Sequence, residues 1–245
     1  MISGSTPGLR HAVCLTGMER SFSEIGANVR EAVHDVLGTP EASITFFGVQ
    51  PVNDSWVHIN SWLRIDHVEA QTRCSVSVPR WYGCQSHGRG DCRGNFVQEL
   101  CDLDVCERMI HQQEERQGNL FHTVMRLRPD VFWEARLGFP ETLTDDKIIV
   151  PFMESGIGGL NDHVAFGGRT GMRSFLTRVR QLHQNITRTD LRLLGLPLNP
   201  PRKFQMFSEM FLRLALARDG VRAKSHVGWM YCLHTKRALL DQRGV

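Results

Sequence analysis

The chain lacks any apolar run approaching the roughly 20 residues that a membrane-spanning helix requires. Its opening, Met1-Ile2-Ser3-Gly4-Ser5-Thr6-Pro7-Gly8, also lacks the apolar core of a signal peptide. Neither a spanning helix nor a leader is expected here, although an anchor removed from a longer precursor stays compatible. Residues 1–8 read as a disordered lead-in to one domain over residues 9–245. Basic runs are missing as well: the arginines are scattered and the formal net charge is only +3. That balance is too small to argue for a nucleic-acid partner, none is expected, and it leaves a modest preference for an anionic ligand. No Cys-x-x-Cys pair occurs, so a zinc knuckle is unsupported despite His87. Nor does a Gly-x-Gly turn follow the first apolar strand, which argues against a methyltransferase-like cofactor enzyme.

What is present is ordinary globular composition, 41% hydrophobic and 22% charged over 245 residues, enough for one large α/β core. Seven cysteines exceed the needs of a reduced cytosolic chain, and Cys74, Cys84, Cys92, Cys101 and Cys106 fall in one region. Disulfides are expected. Asn53-Asp54-Ser55 and Asn185-Ile186-Thr187 fit glycosylation acceptors and, with the cysteines, favour a secretory lumen such as the Golgi.

Along the chain, His11-Ala12-Val13-Cys14-Leu15-Thr16-Gly17 reads as a buried strand ending at a glycine. Ile25, Val29, Val33 and Val36 recur at helical spacing, and Ser43 to Val49 forms a second strand. This β-α-β opening predicts a Rossmann-like α/β domain with a mostly parallel sheet and helices on both faces. The turn after strand one makes Gly17 and Arg20 candidates for binding a phosphate or nucleoside. Pro79 to Asp91 predicts a long loop. Asn95 with Gln98, and Asp104 with Glu107, repeat a capping-box signature, which predicts two short helices parted near residues 101–103. On one continuous helix Cys101 and Cys106 would point roughly 140° apart and could not bond to each other. Lys147 to Val150 predicts another strand. Thr170 is expected to cap a helix with Met172, Phe175, Leu176, Val179 and Leu182 inward and Arg173, Arg178 and Arg180 on other faces. Ser208-Glu209 opens a further helix, with Glu209 well placed for its dipole.

The stretch that organises these elements is Val124-Met125-Arg126-Leu127-Arg128-Pro129-Asp130-Val131-Phe132-Trp133. Strand alternation puts Arg126, Arg128 and Asp130 on one face and Met125, Leu127 and Val131 on the other. Buried charges need partners, and Pro129 cannot donate to a ladder, so the strand should end near Arg128 with Asp130 at its exit. Strand exits of this kind line the ligand crevice of open α/β sheets. An aspartate there can hold a divalent cation, and arginines can neutralise phosphate. The alternative is a strand-end ion cluster of purely structural use. About thirty residues on, a glycine-rich approach leads to Asn161-Asp162-His163 ahead of Val164-Ala165-Phe166. Asp162 there is a candidate base, or else a turn aspartate.

Leu15-Thr16-Gly17-Met18-Glu19-Arg20, Arg-Leu-Arg-Pro-Asp and Asn-Asp-His-Val-Ala-Phe-Gly, in this order and spacing, resemble a group of GT-A-like glycosyltransferase domains and related domains of plants, algae and microbes. The resemblance spans about His11 to the last helix. It implies a single GT-A-type domain that moves a sugar from a nucleotide-sugar donor to the hydroxyl of a carbohydrate or glycoconjugate acceptor. Gly17, Arg20, Arg126, Arg128 and Asp130 would bind the donor, Asp162 would be the base, and Asn161, His163, Trp81 and Glu209 would face the acceptor. A divalent cation, Mn2+ or Mg2+, would sit on Asp130, completed by His226 or His234. The pattern departs in one place: Arg128 stands where the first aspartate of an Asp-x-Asp metal motif would be. That departure favours the rival reading, a non-catalytic domain of the same fold binding a carbohydrate or protein partner.

Overall fold

A computed structural model describes residues 8–19, 22–38, 42–79, 81–82, 92–134, 143–152, 160–198, 206–226 and 231–233. Arg20, His234, the lead-in up to residue 7 and the loop tip at 83–91 lie outside the described residues.

The elements run β1 (Arg10–Thr16), α1 (Phe22–Leu37), β2 (Ser43–Gln50), α2 (Val57–Leu63), β3 (His67–Ala70), α3 (Cys92–Gln117), β4 (Thr123–Leu127), β5 (Val131–Trp133), β6 (Lys147–Pro151), β7 (Ala165–Gly168) and α4 (Arg169–Leu176). A 3-10 turn at Arg178–Gln181 follows, then α5 (Arg188–Leu193), α6 (Ser208–Arg218), β8 (Arg222–His226) and β9 (Tyr231–Leu233). Among the described residues seven strands form one sheet in the order β3-β2-β1-β4-β7-β6-β8, and β5 pairs with β9 apart from it. Within the large sheet β7 alone runs antiparallel, against β4 on one side and β6 on the other.

Both faces are covered, as the apolar pattern predicts for a parallel sheet. Ile25, Val29 and Val33 of α1 pack on Val13, Leu15, Met125 and Leu127. Leu103, Cys106 and Ile110 of α3, with Phe175 of α4 and Leu212 of α6, cover Ala12, Cys14, Phe47 and Val124 on the other face. The alternation of β1 and β4 therefore sorts their side chains between two cores. Among the described residues no helix is long and apolar enough to cross a membrane.

Three points depart from the sequence reading. The capping-box pairs do not split α3, which is one helix of 26 residues; its continuous buried stripe, Leu100, Leu103, Cys106 and Ile110, outweighs local capping preference. Cys101 and Cys106 accordingly bond elsewhere, to Cys74 and Cys14. The Cys14–Cys106 bridge closes a separation of 92 residues, a constraint on the unfolded chain worth about 4–5 kcal/mol in the loop-entropy account. Next, the apolar stretch after Asn161-Asp162-His163, to which no element is assigned above, forms a strand: Ala165–Gly168 is buried between β4 and β6. A Cβ on Gly168 would lie 2.4 Å from the backbone of Asp145, so only glycine lets that loop close over the strand end. Third, the helix expected from Thr170 to Leu182 begins after Gly168 and gives way to the 3-10 turn, with the Thr170 backbone N–H donating to Asp145. The change of pitch turns Arg178 inward, where it is buried, contrary to the helical-wheel placement.

Candidate functional site

The chain leaves β1 for β2 and β3 on one side and returns to β4 on the other, so the strand order switches direction between β1 and β4. In open α/β sheets such a switch opens a crevice at the carboxyl ends of the strands. Here it is a cavity of about 490 Å³, lined by Thr16, Gly17, Asn53, Glu99, Arg126 and Arg128 among others. Gly17 turns the chain out of β1 at a φ of +125°, a conformation open to glycine, and Trp56 Nε1 donates to its carbonyl at 3.2 Å. β4 stops at Leu127 as Pro129 requires.

Because β4 ends there, its charged residues gather at the crevice. Arg126 is wholly buried; its Nη2 donates to Glu99 at 2.6 Å and to the Thr16 hydroxyl at 3.4 Å. Its Nε and Nη1 have no hydrogen-bond partner among the described residues. Burial disfavours the Arg126 charge, and Glu99 offsets this only in part, leaving its pKa below the usual value. Arg128 grips Asp130 with a fork: Nε to Oδ1 at 2.9 Å and Nη2 to Oδ2 at 2.8 Å. Burial opposes its charge too, but Asp130 and the fields of Glu99 and Asp162 together outweigh it and raise its pKa.

The segment before β7 delivers the opposite charge. Since β7 is antiparallel and pairs Ala165 with Arg126, its amino end lies at the crevice edge. Asp162 is buried there, 3.7 Å from His163 Nε2. Burial pushes the Asp162 pKa up, but His163, Arg178, Arg126 and Arg128 together overcome this and hold it below the usual carboxylate value. Asp162 is therefore ionised. Arg178, wholly buried, donates from Nη1 to the Phe175 carbonyl at 2.8 Å and lies over the Phe175 ring. Burial lowers its pKa to about 10 against the pull of Asp162 and Glu99, so it stays charged at neutral pH. Burial raises the Tyr82 pKa, and the fields of Asp162, Glu209 and Glu99 raise it further.

Of the residues singled out in the sequence, Gly17, Arg126 and Arg128 line the crevice, and Asp130 and Asp162 join its charge network. Asn161 serves the backbone: its Oδ1 accepts from the N–H of His163 at 3.0 Å and of Val164 at 3.4 Å, an Asx turn that aims Asp162. Glu209 joins the same wall through its carbonyl, which accepts from Leu160 N–H at 3.1 Å. Trp81 is not at the crevice. It packs on Phe211, 5.3 Å between ring centroids, and lines a separate groove with Ser77, His183 and Asn185. His226 ends β8, and β7 and β6 lie between that strand and β4. Among the described residues no three His, Cys, Asp or Glu side chains converge as a metal shell. Both oxygens of Asp130, moreover, already accept from Arg128. The residues present thus do not fit the expected cation on Asp130.

Glu99 and Arg178 are the members of the cluster that sequence reading missed. Glu99 lies on α3 four residues after Asn95, among other polar positions, and nothing local distinguishes it from a solvated acid. Arg178 sits among Arg173 and Arg180 with no mark of its own.

Residues 91–197 match a family described as a domain of unknown function (DUF7796), under half of the chain. No curated protein matches the chain. Among solved structures, it is similar to mouse xyloside xylosyltransferase 1 in its apo form, at 9% identity and a TM-score of 0.43, over 89% of this chain and 85% of that one.

Proposed function

We propose that the crevice between β1 and β4 binds a nucleotide-sugar and that the protein transfers the sugar to an acceptor hydroxyl. The observation that carries this reading is the meeting of buried Arg126 and Arg178 and half-buried Arg128 with buried Asp162 at the switch point of the sheet. The motif resemblance stated above supports the same reaction. In the transfer, the acceptor oxygen attacks the anomeric carbon as the bond from that carbon to the diphosphate breaks. The electron pair leaves with the diphosphate toward Arg126 and Arg128, and the hydroxyl proton passes to Asp162. Attack of this kind inverts the anomeric centre. A lowered pKa makes Asp162 a weak base but keeps it in the accepting form at neutral pH. The two disulfides support an oxidising compartment.

The test is calorimetric titration with UDP and GDP, each with and without Mn2+, followed by product detection with matched sugar nucleotides. One nucleotide should bind, and its sugar should be transferred. Failure of every nucleotide to bind returns the site to the second reading, a non-catalytic binding domain. One observation favours that second reading: Arg128 and Asp130 already neutralise each other.

A further inference from the structure

We infer that this crevice holds the diphosphate of its nucleotide with guanidinium groups in place of a divalent cation. The inference rests on the nucleotide-sugar reading and specifies how that ligand is held.

Asp130 is the carboxylate on which a cation was expected, and Arg128 occupies both of its oxygens in a two-bond fork. The pair is largely withdrawn from water, with the two side chains 19% and 4% exposed. A metal ion would have to strip a bidentate, charge-assisted contact from a buried carboxylate before gaining its first protein ligand. Arg128 also stands two residues before Asp130, the place where the resemblance to GT-A-like domains would put a second carboxylate to share the ion. The guanidinium thus takes the place of the cation with one of its two positive charges, while its exposed edge lines the cavity.

Arg126 supplies the second contact. It lines the same cavity, is wholly buried, and keeps Nε and Nη1 without a hydrogen-bond partner among the described residues. Buried donors are rarely left so, and a phosphate oxygen is the acceptor that a planar guanidinium fits best. Glu99 holds Nη2 and is the more exposed member of that pair, 28% against 1%. Diphosphate entry therefore exchanges one anion for another: Glu99 turns out to water and the phosphate takes its place on Arg126.

The experiment is titration of UDP and GDP into the wild-type chain in EDTA and again in Mn2+. Affinity in EDTA should lie within about threefold of that in Mn2+. Arg128→Met should weaken binding by about tenfold or more, the loss expected for one charge-assisted contact. Arg128→Asp, which sets a second carboxylate beside Asp130, should lose binding in EDTA and regain it with Mn2+. Glu99→Gln should bind about threefold tighter or better, because the internal competitor is weakened. Thermal melts accompany each variant, and if Arg128→Met does not fold, Arg128→Lys carries the comparison by keeping the charge without the fork. Wild-type binding that EDTA abolishes and Mn2+ restores overturns the inference while leaving the nucleotide site in place. Wild-type affinity in a folded Arg128→Met or Arg128→Lys overturns it too. No binding in either buffer removes the nucleotide reading, and this inference with it.

Discussion

Helix α3 supplies glutamates to two buried arginines at opposite ends of β7, and the two clusters are built to different standards. At one end Arg169 is held on every nitrogen: Nε and Nη2 donate to Glu114 at 2.7 and 2.8 Å, and Nη1 and Nη2 donate to Glu107 at 2.9 and 2.7 Å. At the other end Arg126 has Glu99 and a long contact to Thr16, with two of its donor nitrogens lacking a partner among the described residues. Both arginines lie beside β7, because that reversed strand starts at the crevice with Ala165 opposite Arg126 and ends with Gly168 opposite Thr123. A saturated ion network is architecture, since every charge is spent inside the protein. An unsaturated one keeps capacity for something that arrives from outside.

The sharpest way to break this contrast is Arg169→Met. It strands Glu107 and Glu114 as facing carboxylates in a buried place where desolvation already raises the Glu107 pKa. Loss of one partner of such a pair costs about 3–5 kcal/mol, read as a fall in the denaturant midpoint, with nucleotide affinity unchanged in the folded protein. Asp162→Asn comes next. It should slow sugar transfer by about 10²–10⁴-fold while donor affinity stays within a few-fold. Loss of donor affinity along with rate would assign Asp162 to the arginine network instead of to proton transfer. Arg126→Met should cost the fold less than Arg169→Met, about 1–2 kcal/mol, because its partner Glu99 can reach water. Nucleotide binding should nevertheless fall by about tenfold or more. Equal destabilisation by the two methionine variants would erase the distinction between the clusters.

The smallest effect is a pH slope at the crevice wall. Burial raises Asp102 from 3.8 to about 6, against hydrogen bonds from Gln98 and Gln71 that pull the other way. Between those values the folded carboxyl keeps a proton that the unfolded chain has released. Stability from this group is therefore fully present below pH 3.8 and lost as pH rises through 6. Asp102→Asn should flatten that part of the profile in denaturation series at pH 4.5 and 7.

The sequence was readable where one local rule dominates. Short continuous apolar runs pointed to β1, β2 and β6, and Pro129 to the end of β4 at Leu127. It was unreadable where distant groups decide. Glu99 meets Arg126 across 27 residues and Glu114 meets Arg169 across 55, and ion pairing leaves no periodicity in a chain. The reversed β7 escaped because four residues, two of them glycine, carry little strand preference; sheet closure on both sides makes them a strand. Arg178 was misplaced because a helical wheel assumes constant pitch, and the pitch changes after Leu176. The Trp81 placement failed for a related reason, since Phe211 on the distant α6 holds the indole at another groove. The arginines and acids of the crevice were thus visible as residue types, but the partnerships that give them chemistry were not.

The two disulfides bolt α3 to β1 and to the segment after β3, close to where Glu99, Asp102 and Arg126 face the cavity. That wall is an anvil. Ligand entry has to be accommodated by side chains such as Glu99 and by the strands and turns across from α3. In a reducing environment α3 would lose its covalent ties to β1 and to the segment after β3, leaving packing and the Arg126–Glu99 ion pair to hold that wall.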